Sequence, residues 1–206
     1  MVRGRWRSMV DAILRESMHM KKVVRVLLGF TIAGLLYAPS RASDFSLFGA
    51  YWNTRDFNAG VGGGLKWAPS LGATKAAFEL KGTYFDDIKV DPADSFDFKV
   101  RVIPVEVGFK YDFMKTEKVN LYLGAGGGYY FLDTNEGQLD DDFGYYGEIG
   151  VQFGESKGIN FFVEGIYRGT KGTVKGVQSP GNPTVTEDVS IDLSGAAANM
   201  GVAWRW

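Results

Sequence analysis

Two residue types with strong chemistry are missing or nearly missing from this sequence. Cysteine is absent from all 206 residues, and the only histidine is His19. Without a thiol, the chain has no disulfide, no thiolate metal site and no cysteine that could carry a lipid. A single histidine so close to the N-terminus also leaves little for catalysis that needs an imidazole base.

A long apolar segment is lacking as well. The clearest apolar run, Val26 to Ala38, has 13 residues, whereas a membrane-spanning helix needs about 20. Met20-Lys21-Lys22 precedes this run, and the small residues of Ser40-Arg41-Ala42 follow it. The layout is typical of a secretory signal peptide that is cut after Ala42, and a helical membrane anchor is the weaker alternative.

The signal peptide divides the chain into two predicted segments. Residues 1–42 form the leader, and residues 43–206 form one mature domain. Residues 1–19 carry charges that a signal peptide does not need, so we expect translation to start at Met18 or Met20, or else the n-region of the signal peptide to be unusually long. His19 is lost with this leader. The mature segment has a net charge of about −7, which argues against a nucleic-acid partner because such partners call for a basic patch.

The mature segment has the composition and periodicity of an all-β protein. Glycine and aromatic residues recur along it, and no stretch keeps a helical period of 3.6 residues. Eight strands are predicted, at residues 44–53, 58–68, 76–86, 97–111, 119–132, 142–154, 159–170 and 187–206. Three connections (69–75, 112–118 and 155–158) are short, and most of the others are longer. Unequal connections of this kind indicate an eight-stranded antiparallel up-and-down transmembrane β-barrel.

Alternation within the strands separates an apolar face from a face of glycines and charges. In residues 159–168, for example, Ile159, Phe161 and Val163 oppose Asn160 and Glu164. A membrane barrel turns its apolar face outward to lipid, so the charged face must line the lumen, where charges need partners. The predicted lumen charges are Glu79, Lys81, Glu106, Lys110, Glu148, Glu164, Arg168 and Arg205.

The last eight residues carry the most specific pattern. Asn199, Gly201, Trp204 and Trp206 match polar-x-Gly-x-x-aromatic-x-aromatic, which resembles the C-terminal insertion signal of bacterial outer-membrane β-barrels. The usual last residue of that signal is Phe, so Trp206 is a mild departure. We expect both tryptophans to face lipid and Arg205 to enter the lumen, where Glu164 or Glu148 would meet it. This strand would close the barrel against residues 45–53.

Two irregularities in the pattern predict local distortions. Val100 and Val102 are out of phase with Ile103 and Val105, which predicts a bulge before Pro104. A second bulge is predicted near Gly195, where residues 191 and 193 are out of phase with residues 200 and 202. The glycine runs at 60–64 and 124–128 are expected to let strands bend tightly, since no phosphate-binding motif accompanies them.

The whole mature segment resembles the outer membrane protein A-like, or "porin family", superfamily of small eight-stranded barrels. The resemblance is carried by residues 103–108, 121–126 and 193–195 together with the terminal strand. It implies export to the bacterial outer membrane, with both termini periplasmic. It also implies contact with outer-membrane lipid and lipopolysaccharide, and insertion by the outer-membrane assembly machinery. No cofactor and no metal are predicted, and a monomer is expected.

Three functions remain open at this point. An eight-stranded barrel is just wide enough to be filled by side chains, which favours a plugged lumen and a structural or surface-interaction role through the loops. A narrow channel or small-ligand carrier is the alternative. An outer-membrane hydrolase is disfavoured because the mature segment has no histidine, although paired carboxylates such as Asp140–Asp142 can activate water in principle.

The longer predicted loops are acidic, which raises the question of divalent cations. One loop holds Asp86, Asp87, Asp91 and Asp94, and another holds Asp133, Glu136 and Asp140–Asp142. Carboxylate oxygens are ligands for Ca²⁺, but the spacing of a calcium-binding loop is missing. These loops therefore predict no specific ligand.

Overall fold

The structure is a computed structural model that describes residues 43–56, 58–72, 74–89, 99–134, 138–139, 141–155, 157–179 and 182–206. Within these ranges every regular element is a strand, as predicted. Here, no helix is long and apolar enough to cross a membrane. The strands are β1 (Ser43–Thr54), β2 (Gly60–Pro69), β3 (Ala76–Lys89), β4 (Lys99–Lys115), β5 (Val119–Thr134), β6 (Gln138–Leu139), β7 (Asp142–Gly154), β8 (Gly158–Gly169), β9 (Lys171–Ser179), β10 (Asn182–Asp192) and β11 (Gly195–Arg205).

Eight of these strands close into an antiparallel barrel. Their order around the barrel is β1-β11-β8-β7-β5-β4-β3-β2, so each strand has two partners and no edge is left open. The seam joins the first strand to the last, from the Asp44–Arg205 pair to the Thr54–Gly195 pair. The predicted eight-stranded barrel is confirmed, and so is the predicted pairing of its last strand with residues 45–53.

One end of the barrel is built from tight turns. β2 leads into β3, β4 into β5 and β7 into β8 there, and Ser43 and Trp206 lie at the same end, where each backbone N–H donates to the other residue's carbonyl. The turn after β7 is flanked by Gly154 and Gly158, whose φ angles of 147° and 101° are disfavoured for other residues. We call this the turn end and the opposite end the loop end.

The loop end carries a second sheet that the sequence did not predict. Strands β10, β9 and β6 form it in that order, within segments expected to be loops and the start of the last strand. The single predicted strand at 187–206 is therefore wrong. Residues 182–192 pair with β9, Leu193 and Ser194 leave both sheets, and β11 begins at Gly195. The change of phase predicted as a bulge near Gly195 is this break between two strands.

The bulge predicted in β4 before Pro104 is also wrong. β4 pairs with β5 without interruption from Val100 to Asp112, and Val100 and Val102 point inward together with Pro104 and Glu106. The extra residue lies in the neighbouring strand β3, where pairing shifts between Phe85 and Ile88. The two valines keep their phase because the interior is apolar at this level.

The outer surface of the barrel is apolar over most of its height. Aliphatic side chains such as Leu47, Ile149 and Val163 are exposed at mid-height. Aromatic side chains are exposed toward both ends, with Phe45 and Trp204 paired near the turn end and Tyr145 near the loop end. This arrangement matches the lipid-facing band and aromatic girdles of a membrane barrel.

Candidate functional site

The interior of the barrel holds a charge-balanced cluster. Ten charged side chains are buried among the described residues, and none is more than 7% exposed. All eight of the predicted lumen charges lie there. The cations are Lys66, Lys81, Lys110, Arg168 and Arg205, and the anions are Asp44, Glu79, Glu106, Glu148 and Glu164. Lys66 and Asp44 were missed, although Lys66 alternates with the apolar Leu65 and Trp67 and could have been found from that alternation.

Lys81 occupies the middle of the cluster. Its Nζ lies 2.6 Å from Glu148 Oε2, 3.2 Å from Glu79 Oε1 and 3.9 Å from Glu106 Oε2. The antiparallel pairing of β2 and β3 places Lys66 directly beside it. Lys66 forms an ion pair with Glu164 and lies 3.8 Å from Glu79. Two ammonium groups thus share the carboxylates of four strands.

Arg168 and Glu106 form a fork-to-fork pair toward the loop end. The guanidinium Nε and Nη2 donate to the two oxygens of Glu106 over 2.8 and 3.0 Å, and Tyr130 donates to the same carboxylate over 2.9 Å. The guanidinium also lies 5.4 Å from the ring of Trp52. Such bidentate geometry suits a desolvated pair, because it satisfies several polar atoms at once.

A second fork-to-fork pair crosses the seam at the turn end. Arg205 donates to Asp44 over 2.6 and 2.8 Å and to Gln152 over 2.9 Å, and Lys110 lies 3.3 Å from the same aspartate. The predicted partners of Arg205, Glu164 and Glu148, are wrong. The seam register places Asp44 opposite Arg205, whereas Glu164 is opposite Asn199, further toward the loop end.

Three buried tyrosines donate into the cluster. The hydroxyl groups of Tyr122, Tyr130 and Tyr146 bond to Glu164, Glu106 and Glu79 over 2.6 to 3.0 Å. The rings of Tyr122 and Tyr146 also lie close to lysines, with the Lys66 ammonium 5.4 Å from the ring of Tyr122 and the Lys81 ammonium 4.2 Å from the ring of Tyr146. All three tyrosines therefore stabilise carboxylates by hydrogen bonds, and Tyr122 and Tyr146 also stabilise ammonium groups by cation–π contact.

Inward-facing glycines make room for these side chains. A Cβ built on Gly150 would collide with the ring of Tyr122, and one built on Gly126 would come 2.7 Å from the ring of Tyr146. The inward glycines of the runs at 60–64 and 124–128 are also positions where a Cβ would collide with neighbouring atoms. They are Gly60, Gly62, Gly64, Gly124, Gly126 and Gly128. Close approach of interior side chains at Gly60, Gly124 and Gly128, and of a neighbouring strand's backbone at Gly62, Gly64 and Gly126, is the structural reason for glycine at these positions.

Glu79, Glu148 and Glu164 form the one group of potential metal ligands found among the described residues. One carboxylate oxygen from each lies within 4.8 Å of the others. Lys66 and Lys81 pair with the same three carboxylates, and the ten interior charges already balance. A divalent cation would have to displace these ammonium groups, so the cluster fits internal ion pairing better than metal binding.

The interior toward the loop end is apolar, which sequence reasoning missed. Phe85, Ile88, Val102 and Leu193 are fully buried there, and Trp52 packs on Phe85 with 5.3 Å between ring centroids. We call this the apolar layer, and its members are Trp52, Phe85, Ile88, Val100, Val102, Tyr130, Leu132, Ile166, Leu193 and Ala197. Most of the interior ions thus lie toward the turn end and the apolar layer lies toward the loop end, where the Arg168 guanidinium borders it, 5.4 Å from the ring of Trp52 and 5.8 Å from that of Phe85.

The polar interior approaches solvent at the turn end. A small pocket there is lined by Lys115, Glu117, Asn120, Gln152 and Arg205, among others. Asn120 is 3% exposed, yet neither atom of its amide group has a hydrogen-bond partner within the protein. Buried amides of this kind are usually satisfied by water, so we expect the pocket beside Arg205 to be hydrated.

The residues of the predicted insertion signal lie on both faces of β11. Trp204 and Trp206 are exposed on the outer face. Asn199 is buried inside, where its amide donates to Glu164 over 3.2 Å. At Gly201 a Cβ would meet the backbone of β1 and the ring-bearing side chain of Phe48.

The acidic loops lie only partly within the described residues. Asp91, Asp94, Glu136 and Asp140 fall outside them. Asp86 and Asp133 flank Arg101, at 3.5 and 3.4 Å, on the exposed rim of the barrel. Asp141 accepts the backbone N–H of Leu132 over 3.0 Å. The described carboxylates thus pair within the protein.

Comparison with known proteins shows the fold. No protein-family model and no curated protein matches the chain. Among solved structures, outer membrane protein OprG of Pseudomonas aeruginosa has a TM-score of 0.70 at 15% identity, over 81% of this chain and 96% of that one. Neisserial surface protein A has a TM-score of 0.56 at 11% identity, over 80% and 96%. Escherichia coli outer membrane protein W has a TM-score of 0.52 at 15% identity, over 82% and 99%. The chain has the fold of these small outer-membrane β-barrels.

Proposed function

We propose that this protein resides in the bacterial outer membrane as a barrel with a closed interior, and that it has a structural or surface-interaction role through its loop end. The observation that carries the proposal is the inverted polarity of the barrel. Ten charges are buried inside, while large apolar side chains such as Leu47, Ile149 and Met200 are 58% to 69% exposed. Water would disfavour both features at once, whereas lipid around the barrel accounts for the exposed apolar band.

The closed interior follows from how completely side chains fill it. Eight strands leave space for side chains and little more. The ion pairs around Lys81 cross the lumen from β3 to β7, and Tyr122 and Tyr146 lie over glycines on neighbouring strands. The apolar layer covers this cluster toward the loop end. Free passage of metabolites is not expected through such an interior.

The asymmetry of the two ends supports an orientation. Outer-membrane barrels have short periplasmic turns and longer extracellular loops. We therefore assign the turn end, with Ser43 and Trp206, to the periplasm and the loop end to the exterior. The sheet of β6, β9 and β10 would then be displayed outside the cell. Lipopolysaccharide would surround this end, and the outer-membrane assembly machinery would recognise the C-terminal signal on β11. We propose that the protein is a monomer.

Enzymatic activity is not part of the proposal. The sequence has no histidine after His19, and the buried carboxylates of the interior are all engaged by lysine, arginine or tyrosine. We expect assays with lipopolysaccharide and peptides to give no turnover. Robust hydrolysis of either substrate would contradict this part of the proposal.

The proposal is tested by fractionation and heat modifiability. Closed barrels resist unfolding in detergent, so the protein in purified outer membranes should migrate differently on a denaturing gel with and without boiling. A matched control is a variant without residues 195–206, which removes β11 and leaves β1 and β8 with open edges. A wild-type protein found in the cytosol, with no shift in migration, would rule out the proposed function.

A narrow channel is the second candidate, because the turn-end pocket is lined by Asn120 and by Arg205 of the charged cluster. Conductance in planar bilayers separates the two candidates. The closed barrel should show only a small leak. Steady single-channel steps from the wild-type protein would favour the channel.

A further inference from the structure

We propose that Leu193 is a stopper that seals the loop end of the barrel, and that a clasp of hydrogen bonds on the link between β10 and β11 holds it in place. The proposal rests on the closed interior argued above and identifies the element that closes it. It concerns a link of two residues, Leu193 and Ser194, between the loop-end sheet and the barrel wall.

Leu193 lies where a connecting residue would normally be exposed. Links between strands usually run over the surface, because their backbone groups need water. Leu193 is instead 0% exposed and belongs to the apolar layer with Trp52 and Ile166. Ile191 packs against the same layer from the preceding strand. The link therefore inserts an apolar side chain into the loop-end mouth of the barrel.

The clasp pairs the link with the loop after β1. The backbone N–H of Arg55 donates to the carbonyl of Ser194 over 3.0 Å, and that of Asp56 donates to the carbonyl of Asp192 over 3.3 Å. The N–H of Asp192 donates to Asp56 Oδ2 over 2.6 Å, and the Arg55 guanidinium donates to Asp192 Oδ2 over 3.0 Å. These bonds join residues that are more than 130 positions apart in the sequence.

The clasp also reaches the end of β8. The N–H of Leu193 donates to the carbonyl of Thr170 over 3.1 Å, and the N–H of Thr170 donates to Ser194 Oγ over 3.2 Å. Within the link, the N–H of Ser194 donates to Asp192 Oδ1 over 2.9 Å. Hydrogen bonds from Ser194, aided by Arg55, hold the pKa of Asp192 below its usual range.

The polar cluster and the apolar layer differ in whether they exclude water, and this difference explains why Leu193 would matter for the seal. At the turn end the polar cluster borders the pocket at Asn120, and charged and amide groups do not by themselves exclude water. The apolar layer is the level that does, since an apolar constriction excludes ions by dewetting. Leu193 is the member of that layer that comes from a link, whereas Trp52, Phe85 and Ile166 are fixed in barrel strands. Displacing the link therefore opens the seal without unpairing the wall.

Thiol labelling tests the stopper directly, because the chain contains no cysteine. Ala197→Cys places a thiol in the apolar layer on β11, and Asn120→Cys places one in the turn-end pocket. A charged, water-soluble thiol reagent should modify Cys at 197 about tenfold faster when Leu193→Ala is added, since local opening then becomes easier. The Asn120→Cys rate should stay constant in the same background.

Two further variants keep the test decisive. Arg55→Ala removes one side-chain bond of the clasp, from the guanidinium to Asp192 Oδ2, and should also raise the labelling rate at 197, even if Leu193→Ala fails to fold. Thr116→Ala weakens a turn of similar bonding at the opposite end, where Thr116 Oγ1 and the carbonyl of Val119 are 3.0 Å apart, and should leave the rate unchanged. An unchanged rate at 197 in a folded Leu193→Ala barrel would overturn the stopper. Heat modifiability of each variant reports the barrel separately, so this failure is distinct from failure of the proposed function.

Discussion

At the scale of single residues, removing one member of a buried ion pair should destabilise the barrel, because the other member is left as an unpaired buried charge. Glu106 and Arg168 are both fully buried and bonded fork to fork. We expect Glu106→Gln to lower the free energy of unfolding by about 3–5 kcal/mol, because Arg168 would keep a buried charge without its counterion. Urea unfolding in lipid vesicles, followed by tryptophan fluorescence, measures the change.

An exposed ion pair gives the control for this prediction. Asp86 and Arg101 lie 3.5 Å apart with side chains 55% and 38% exposed, so Asp86→Asn should cost at most about 1 kcal/mol. The double variant Glu106→Gln/Arg168→Met should recover part of the loss, since it removes both charges. Equal effects of Glu106→Gln and Asp86→Asn would contradict the role assigned to the buried pair.

Sequence alternation located most interior residues but not their partners. Glu164 and Arg205 were expected to meet because both are inward and oppositely charged. Partner choice depends on the register around the barrel, which places Asp44 across the seam from Arg205. Asp44 itself was missed because it opens its strand, so only one of its flanks shows the alternation.

At the scale of elements, the two faces of β7 should respond differently to the same substitution. Gly150→Ala should destabilise the barrel by about 1–3 kcal/mol, because the new Cβ meets the ring of Tyr122 inside. Gly147→Ala is the matched control on the outer face, where nothing lies within 4 Å of the new Cβ. The same unfolding experiment measures both, and equal losses would argue against interior crowding as the reason for glycine.

The sequence predicted the barrel strands better than the elements beyond them. Seven of the predicted strands have close counterparts in the barrel, since a strand with one apolar face carries its own signal. The boundary between β10 and β11 shows in the sequence only as a change of phase near Gly195, which a bulge within one strand explains as well as a break between two. Leu193 reads as one more apolar residue of a long strand, and only the pairing of residue 192 with Lys171 and of residue 195 with Arg168 separates the two. The apolar layer was missed for a related reason, because Val100 and Val102 were compared with the lipid-facing residues of their strand.

At the scale of the whole molecule, the free-energy cost of placing a charge on the outer face of the barrel depends on whether lipid or water surrounds it. Leu47 is 58% exposed at mid-height of β1. In a bilayer, Leu47→Arg should cost about 2–4 kcal/mol, whereas Val61→Arg, near the loop end, should cost at most about 1 kcal/mol. Refolding of both variants into vesicles over a urea series measures the difference. A barrel that folds in water would tolerate the two arginines equally.

During folding, the barrel closes in a single step, when β1 pairs with β11 at the seam. Asp44 and Arg205 are 161 positions apart, and every other pairing in the wall can form before they meet. Until this most non-local pairing forms, the sheet has two edges whose backbone groups are unpaired. The bidentate contact between Asp44 and Arg205 then favours the correct register, because it forms only when β11 pairs with β1 in that register.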